Sequence, residues 1–153
     1  MTEGAAPASP PAPTQTPAPA PDPAWLRWVG GVVAVGLAFA TSVWEAFLTP
    51  LMWQWTSGGQ AHYVRLPVAL LCAILGNAAL AWFTWAVTGK VLAVLAPFAA
   101  WTVPMVVASA RTSEGDLVLT SNNWVALTTM FAGALVFAVV AYWLVMRSLR
   151  RPA

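Results

Sequence analysis

Four long stretches without a charged side chain constrain this sequence more than any other feature. An α-helix rises about 1.5 Å per residue, so about 20 apolar residues cover the roughly 30 Å hydrocarbon core of a bilayer. All twelve charged residues lie in tails, in connections or near the ends of these stretches. Charged residues make up 8% of the chain, against about 25% in soluble domains. The pattern therefore predicts an integral membrane protein.

The predicted fold is an all-α polytopic membrane protein, with four transmembrane helices in an antiparallel bundle. A β-barrel does not fit, because the stretches are about twice as long as barrel strands and lack polar residues at alternate positions. The link between the second and third spans, Thr88–Lys90, is so short that it predicts a tight antiparallel pair. The transmembrane domain covers 25–147, and its predicted spans are about 25–48, 66–88, 91–110 and 124–146.

The two tails differ in composition. Residues 1–24 hold eight prolines and seven alanines, which deny a helix its N–H donors and bury little surface, so a disordered tail is predicted. The run lacks the basic start and apolar core of a signal peptide. A proline-rich docking segment, with a phosphorylation point at Thr16-Pro17, is the alternative. Residues 148–153 form a short basic tail.

The cations indicate an orientation. With four spans both termini share one side, and five cations belong to that side against two on the other. The positive-inside rule then predicts cytoplasmic termini, which explains the basic pI of 9.2 without nucleic acid. Alanine- and proline-rich usage fits a GC-rich bacterial genome, and hence the bacterial inner membrane. The inner cations are Arg27, Lys90, Arg147, Arg150 and Arg151, and the outer ones are Arg65 and Arg111.

Three ionisable residues are predicted to meet at the outer ends of the helices. Glu45 lies one turn before the end of the first span, Arg65 begins the second and Arg111 ends the third. Ionisable groups in a membrane are costly and require a partner or a purpose. The favoured interpretation is an ion-paired latch close to water. The alternative is a titrating carboxylate, Glu45, that couples proton movement to transport.

Other polar and small residues indicate helix packing. Asn77 lies midway along the second span, where its amide must bond to a neighbouring helix, although a ligand contact is an alternative. Trp101 alone among the tryptophans falls at mid-depth rather than at an interface. Small residues recur every four positions in the first span, which allows close helix approach. They are Gly30, Ala34, Ala38, Ser42 and Ala46.

The two outer connections have the least uniform composition in the chain, with aromatic, glycine and charged residues close together. The run Leu51–Trp55 is predicted to lie in the membrane interface, before a flexible turn at Ser57–Gly59. His62 is the single histidine, and no metal or cofactor site is predicted. The second connection carries a candidate motif that is only weak evidence for calcium, which requires six to eight oxygens. The motif is Arg111, Glu114, Gly115 and Asp116.

At this motif the chain resembles small four-span actinobacterial membrane proteins of unknown function. The shared stretch is Arg-x-x-x-Gly-Asp-Leu before the last helix, here Arg111, Gly115, Asp116 and Leu117. The resemblance covers about 28–147 and implies the same four-span plan, but it transfers no activity.

Because no catalytic motif is present, the leading hypothesis is a non-enzymatic accessory or assembly subunit of a larger membrane or envelope complex. The alternative is a small proton-coupled transporter that acts as a homodimer, similar to four-helix multidrug exporters with a carboxylate in the first helix. An intramembrane enzyme ranks third. The predicted partners are the lipid bilayer, a larger membrane complex or a second copy, and no nucleic acid.

Overall fold

The computed structural model describes residues 24–110 and 123–150. The predicted tails, 1–24 and 148–153, lie outside this range except for Ala24 and 148–150. Four helices are long and apolar enough to cross a membrane, which confirms the predicted membrane class. They are α1 (Ala24–Leu48), α2 (Val68–Thr88), α3 (Leu95–Ser109), which a 3₁₀ turn at Val91–Val94 extends, and α4 (Trp124–Leu149).

A β-hairpin joins α1 to α2 and departs from the predicted purely helical fold. Strand β1 (Met52–Ser57) pairs antiparallel with β2 (Gln60–Arg65). The two-residue turn is Gly58-Gly59, whose φ angles of 61° and 77° suit glycine and match the twist of a hairpin. The run Leu51–Trp55, which is predicted to lie in the membrane interface, therefore forms most of strand β1.

Small residues let α1 and α2 pack closely, as the four-residue spacing indicates. Ala34, Ala38 and Ser42 of α1 are fully buried, as are Ala69 and Ala73 of α2. A large side chain at any of these positions would hold the two backbones apart.

The directions of the helices follow from their contacts. α1 and α2 run in opposite directions, because Gly30 adjoins Val87 at one end while Gly76 adjoins Glu45 near the other. α2 and α4 run in the same direction: Gly133 lies against Asn77, and the Trp82 and Trp143 ring centroids lie 5.7 Å apart.

The predicted tight pair of α2 and α3 does not form. α3 packs mainly against α1, and α2 packs against α1 and α4. After Thr88, Gly89 takes a left-handed conformation with φ 68°, and the 3₁₀ turn follows, so the chain is redirected before α3 begins. α3 and α4 are joined instead by large rings, with Phe98 and Phe137 centroids 5.5 Å apart.

Asn123 caps α4 and also fastens it to the rest of the fold. Its side-chain oxygen accepts a hydrogen bond from the Ala126 N–H at 3.3 Å. Its Nδ2 donates to the Thr49 carbonyl at 3.1 Å, just after α1. One side chain therefore holds the start of α4 beside the end of α1.

Candidate functional site

A buried carboxylate lies where three helices meet. Glu45 of α1 is only 2% exposed, and its Oε2 accepts a hydrogen bond of 2.9 Å from Nε1 of Trp101 in α3. A β-carbon on Gly76 of α2 would lie 3.8 Å from Glu45 Oε1. Gly76 belongs to the middle of α2, so the carboxylate points into the bundle and away from the water at the helix ends.

At this position Glu45 is bonded to Trp101, and Arg65 of the predicted latch makes no ion pair with it. No Lys or Arg nitrogen of the described residues lies within 4.0 Å of a carboxylate oxygen, so Trp101 takes the place expected for Arg65. Arg65 ends β2, and α2 begins only at Val68, so the arginine belongs to the hairpin rather than to the helix. Arg111, the third member of the predicted cluster, lies outside the described residues.

Two further polar side chains are buried in the bundle and have no hydrogen-bond partner among the described residues. Neither the amide nitrogen nor the amide oxygen of Asn77 has one, and neither has the hydroxyl of Thr129 in α4; both residues are 0% exposed. The interhelical bond predicted for Asn77 is therefore absent from the described residues. An unpaired polar group in an apolar interior is costly, so such groups are rare and usually meet water, an ion or a ligand.

Gly133 brings these groups together. A β-carbon at this position would lie 2.8 Å from Asn77 Nδ2 and 2.5 Å from Cζ2 of Trp101. The absence of a side chain at Gly133 is therefore what lets the Trp101 ring lie against α4 beside the amide. We call Glu45, Asn77 and Trp101 the polar core.

The polar core can accept hydrogen bonds and protons and can donate through the amide. A carboxylate offers about four lone-pair sites, and Trp101 occupies one of those on Glu45. Within 24–110 and 123–150, no three His, Cys, Asp or Glu side chains gather closely enough to hold a metal. Protonation and hydrogen bonding are reactions that the side chains of the polar core can carry out.

Glu45 and Asn77 are among the residues predicted from sequence, whereas no role is predicted for Trp101 or Thr129. A signal for Trp101 was available. An indole N–H at mid-depth requires an acceptor, and Glu45 is the only carboxylate within a predicted span. Thr129 carried no such signal, because most threonines in membrane helices bond to their own backbone, as Thr84 does here with the Leu80 carbonyl at 2.7 Å.

A second cluster surrounds Arg147 at the opposite end of the bundle from the hairpin. The guanidinium carbon lies 5.3 Å from the ring centroid of Trp143, 5.8 Å from that of Trp85 and 5.9 Å from that of Trp82. Each distance is within the range of cation–π attraction. The cluster joins the ends of α2 and α4.

The remaining predicted site residues belong to the second outer connection. The motif of Arg111, Glu114, Gly115 and Asp116 lies outside the described residues. No protein-family model, curated protein or solved structure matches this chain. The resemblance to four-span actinobacterial proteins therefore stays a hypothesis.

Proposed function

We propose that this four-helix protein is a non-enzymatic accessory or assembly subunit of a larger membrane or envelope complex, and that the β-hairpin is its docking element. The observation that carries the proposal is an exposed aromatic face on the hairpin. Every hairpin residue is exposed except Arg65, which is half-buried.

The strand register gives the hairpin two different faces. Residues directly opposite each other in neighbouring strands share a face. Trp53 pairs with Val64, and Trp55 pairs with His62, whose ring is stacked on the indole at a centroid distance of 5.3 Å. We call these four residues the aromatic face. The opposite face carries Gln54 and Thr56 among its members.

The aromatic face resembles a binding surface more than a core element. Trp53 is 61% exposed and Trp55 44%, so the described part of the chain leaves a large part of both side chains uncovered. An isolated two-stranded hairpin is only marginally stable in water, and contact with another surface stabilises it. Tryptophan is also enriched among the residues that contribute most to protein interfaces.

Site-specific photo-crosslinking in native membranes tests this proposal. A photoreactive residue at Trp53, His62 or Val64 is expected to give an adduct with a larger partner protein. The same residue at Gln54, Thr56 or Tyr63, on the other face, serves as the matched control and is expected to give at least fivefold less. Trp53→Ser combined with Trp55→Ser should remove the adduct formed from Val64.

Other adducts would contradict a larger partner. Lipid adducts alone would show that the aromatic face lies on the bilayer, and an adduct of twice the chain's mass would identify a homodimer. A cross-link within one chain would mean that the protein covers its own hairpin. Equal protein adducts from both faces would remove the assigned role of the aromatic face.

The orientation is part of the proposal, with both termini cytoplasmic in a bacterial inner membrane and the hairpin outside. Its support is the five cations on the terminal side against two opposite. A reporter fused after Ala153 or inserted at Gly89 is expected to report cytoplasm, and one inserted at Gly58 the outside. A cytoplasmic signal at Gly58 would reverse the orientation or change the number of spans.

A proton-coupled transporter is the second candidate, and the polar core favours it. Ionisable residues inside membrane bundles commonly mark proton or substrate pathways. In support of this candidate, Glu45 is 2% exposed and points into the bundle beside Gly76 rather than to the outer rim. Proton-driven uptake of a cation by liposomes that contain the wild-type protein, lost in Glu45→Gln, would establish this candidate over the first.

A further inference from the structure

We propose that the groove between the beginnings of α1 and α3 and the end of α2 binds one anionic phospholipid of the cytoplasmic leaflet. The groove has a volume of about 560 Å³ and lies at the opposite end of the bundle from the hairpin. The inference is independent of any partner at the hairpin and uses only the proposed orientation of the chain.

The walls of the groove match an acyl chain. They are formed largely by small or aliphatic side chains, including Gly31, Val35, Ala93 and Ala96. On α1 the lining extends from Ala24 to Val35, which is about 16 Å along the helix. That length is about half of the 30 Å hydrocarbon core, or one leaflet.

The mouth of the groove matches an anionic headgroup. Arg27 and Lys90 both line it and both are exposed. Among residues 24–110 and 123–150, Glu45 is the only carboxylate, and it is buried with Trp101, so no described acidic side chain neutralises these two cations. Basic pockets between helices on the cytoplasmic side are a recurrent mode of binding to acidic phospholipids.

The hydroxyls in the groove are already occupied, which leaves recognition to the cations. Thr84 Oγ1 donates to the Leu80 carbonyl, and Thr88 Oγ1 donates to the Thr84 carbonyl at 2.6 Å. A zwitterionic lipid would meet the same apolar walls, but its positive headgroup amine would face Arg27 and Lys90. The site should therefore select for net negative charge.

The test measures lipid retention on the full chain in mild detergent by native mass spectrometry. The probes are phosphatidylglycerol and phosphatidylcholine with identical dioleoyl chains. Phosphatidylglycerol is expected to be retained at least fivefold better by the wild-type protein. Arg27→Gln or Lys90→Gln should each reduce its retention about fivefold, while Arg150→Gln, an exposed cation outside the groove, should not.

A second pair of variants tests the groove itself. Gly31→Leu places a side chain in the groove and should abolish retention, whereas Gly36→Leu, which has nothing within 4 Å, should leave it unchanged. Helicity measured by circular dichroism checks that each variant is folded.

Three results would overturn the proposal. The first is equal retention of both lipids, and the second is selective retention that survives Arg27→Gln, Lys90→Gln and Gly31→Leu. The third is retention that occurs only after deletion of residues 1–21, which would make that segment the occupant of the groove. Lipid binding in detergent does not depend on the orientation of the chain in a membrane. The lipid-binding proposal can therefore fail while the topology reporters confirm cytoplasmic termini, and it can hold while they do not.

Discussion

Gly133→Ala is expected to destabilise the protein by about 2 kcal/mol, although alanine is the better helix former. The added β-carbon would lie 2.5 Å from Cζ2 of Trp101 and 2.8 Å from Nδ2 of Asn77. Helix propensity favours alanine by about 1 kcal/mol. Overpacking a filled interior costs about 1 to 3 kcal/mol and sometimes more, so the clash outweighs the gain. Unfolding in mixed micelles, followed by circular dichroism, measures the change.

Gly36→Ala is the matched control, because it also lies within a membrane helix but has nothing within 4 Å of its would-be β-carbon. We expect it to leave stability unchanged or slightly higher. In a Trp101→Leu background, which itself loses the bond to Glu45, Gly133→Ala should cost less than in the wild-type protein, because the smaller side chain leaves room for the methyl group. A Gly133→Ala protein as stable as Gly36→Ala would show that α3 and α4 do not approach as closely as described.

The hydrogen bond between Trp101 and Glu45 is expected to give a coupling free energy of about 1.5 to 3 kcal/mol in a double-mutant cycle. The cycle combines Trp101→Phe with Glu45→Leu and measures unfolding in the same micelles. Removing one partner of a buried hydrogen bond leaves the other unpaired, which costs about 1 to 3 kcal/mol. The two single variants should therefore lose, in sum, more unfolding free energy than the double variant loses.

Two controls accompany this cycle. Trp44→Phe changes the residue beside Glu45, but Trp44 is 67% exposed and should show no coupling to Glu45→Leu. Glu45→Gln keeps an acceptor for the indole N–H, so it should destabilise less than Glu45→Leu. A coupling within error of zero would mean that the bond contributes nothing to folding and would leave Glu45 without a structural role.

Much of the fold was predictable because membrane spans follow from length and charge alone. The four predicted segments and the four helices agree to within about three residues at each end. The buried positions Ala34, Ala38 and Ser42 also follow from a spacing of four. The limits of the spans and the buried positions of α1 both depend on local sequence. The spacing of small, uncharged residues within one helix is enough to identify the face that packs.

The hairpin was missed although its signal was present. Two glycines between runs that place aromatic residues at alternate positions, such as Trp53 and Trp55, are typical of a two-residue hairpin turn. The prediction that Leu51–Trp55 lies in the membrane interface rests on hydropathy alone, whereas the alternation of aromatic residues indicates a strand.

The partner of Glu45 could not be read from local pattern. Glu45 and Trp101 are 56 positions apart, and their meeting depends on α3 packing against α1 rather than against α2. A three-residue link favours neighbours in sequence, whereas Gly89, in a left-handed conformation with φ 68°, redirects the chain before the 3₁₀ turn at Val91–Val94. The unpaired amide of Asn77 likewise depends on the position of α4.

The fastenings at the two ends of α4 have a consequence for bilayer thickness. Asn123 ties its start to the end of α1, and Arg147 ties its last turns to α2 through Trp82 and Trp85. α4 has 26 residues and is about 39 Å long, which exceeds the hydrocarbon core. Held at both ends, α4 cannot slide along its neighbours when the membrane thins or thickens. The bundle must therefore accommodate hydrophobic mismatch by tilting as one rigid unit. The hairpin, which lies at one end of the bundle, is displaced most by such a tilt.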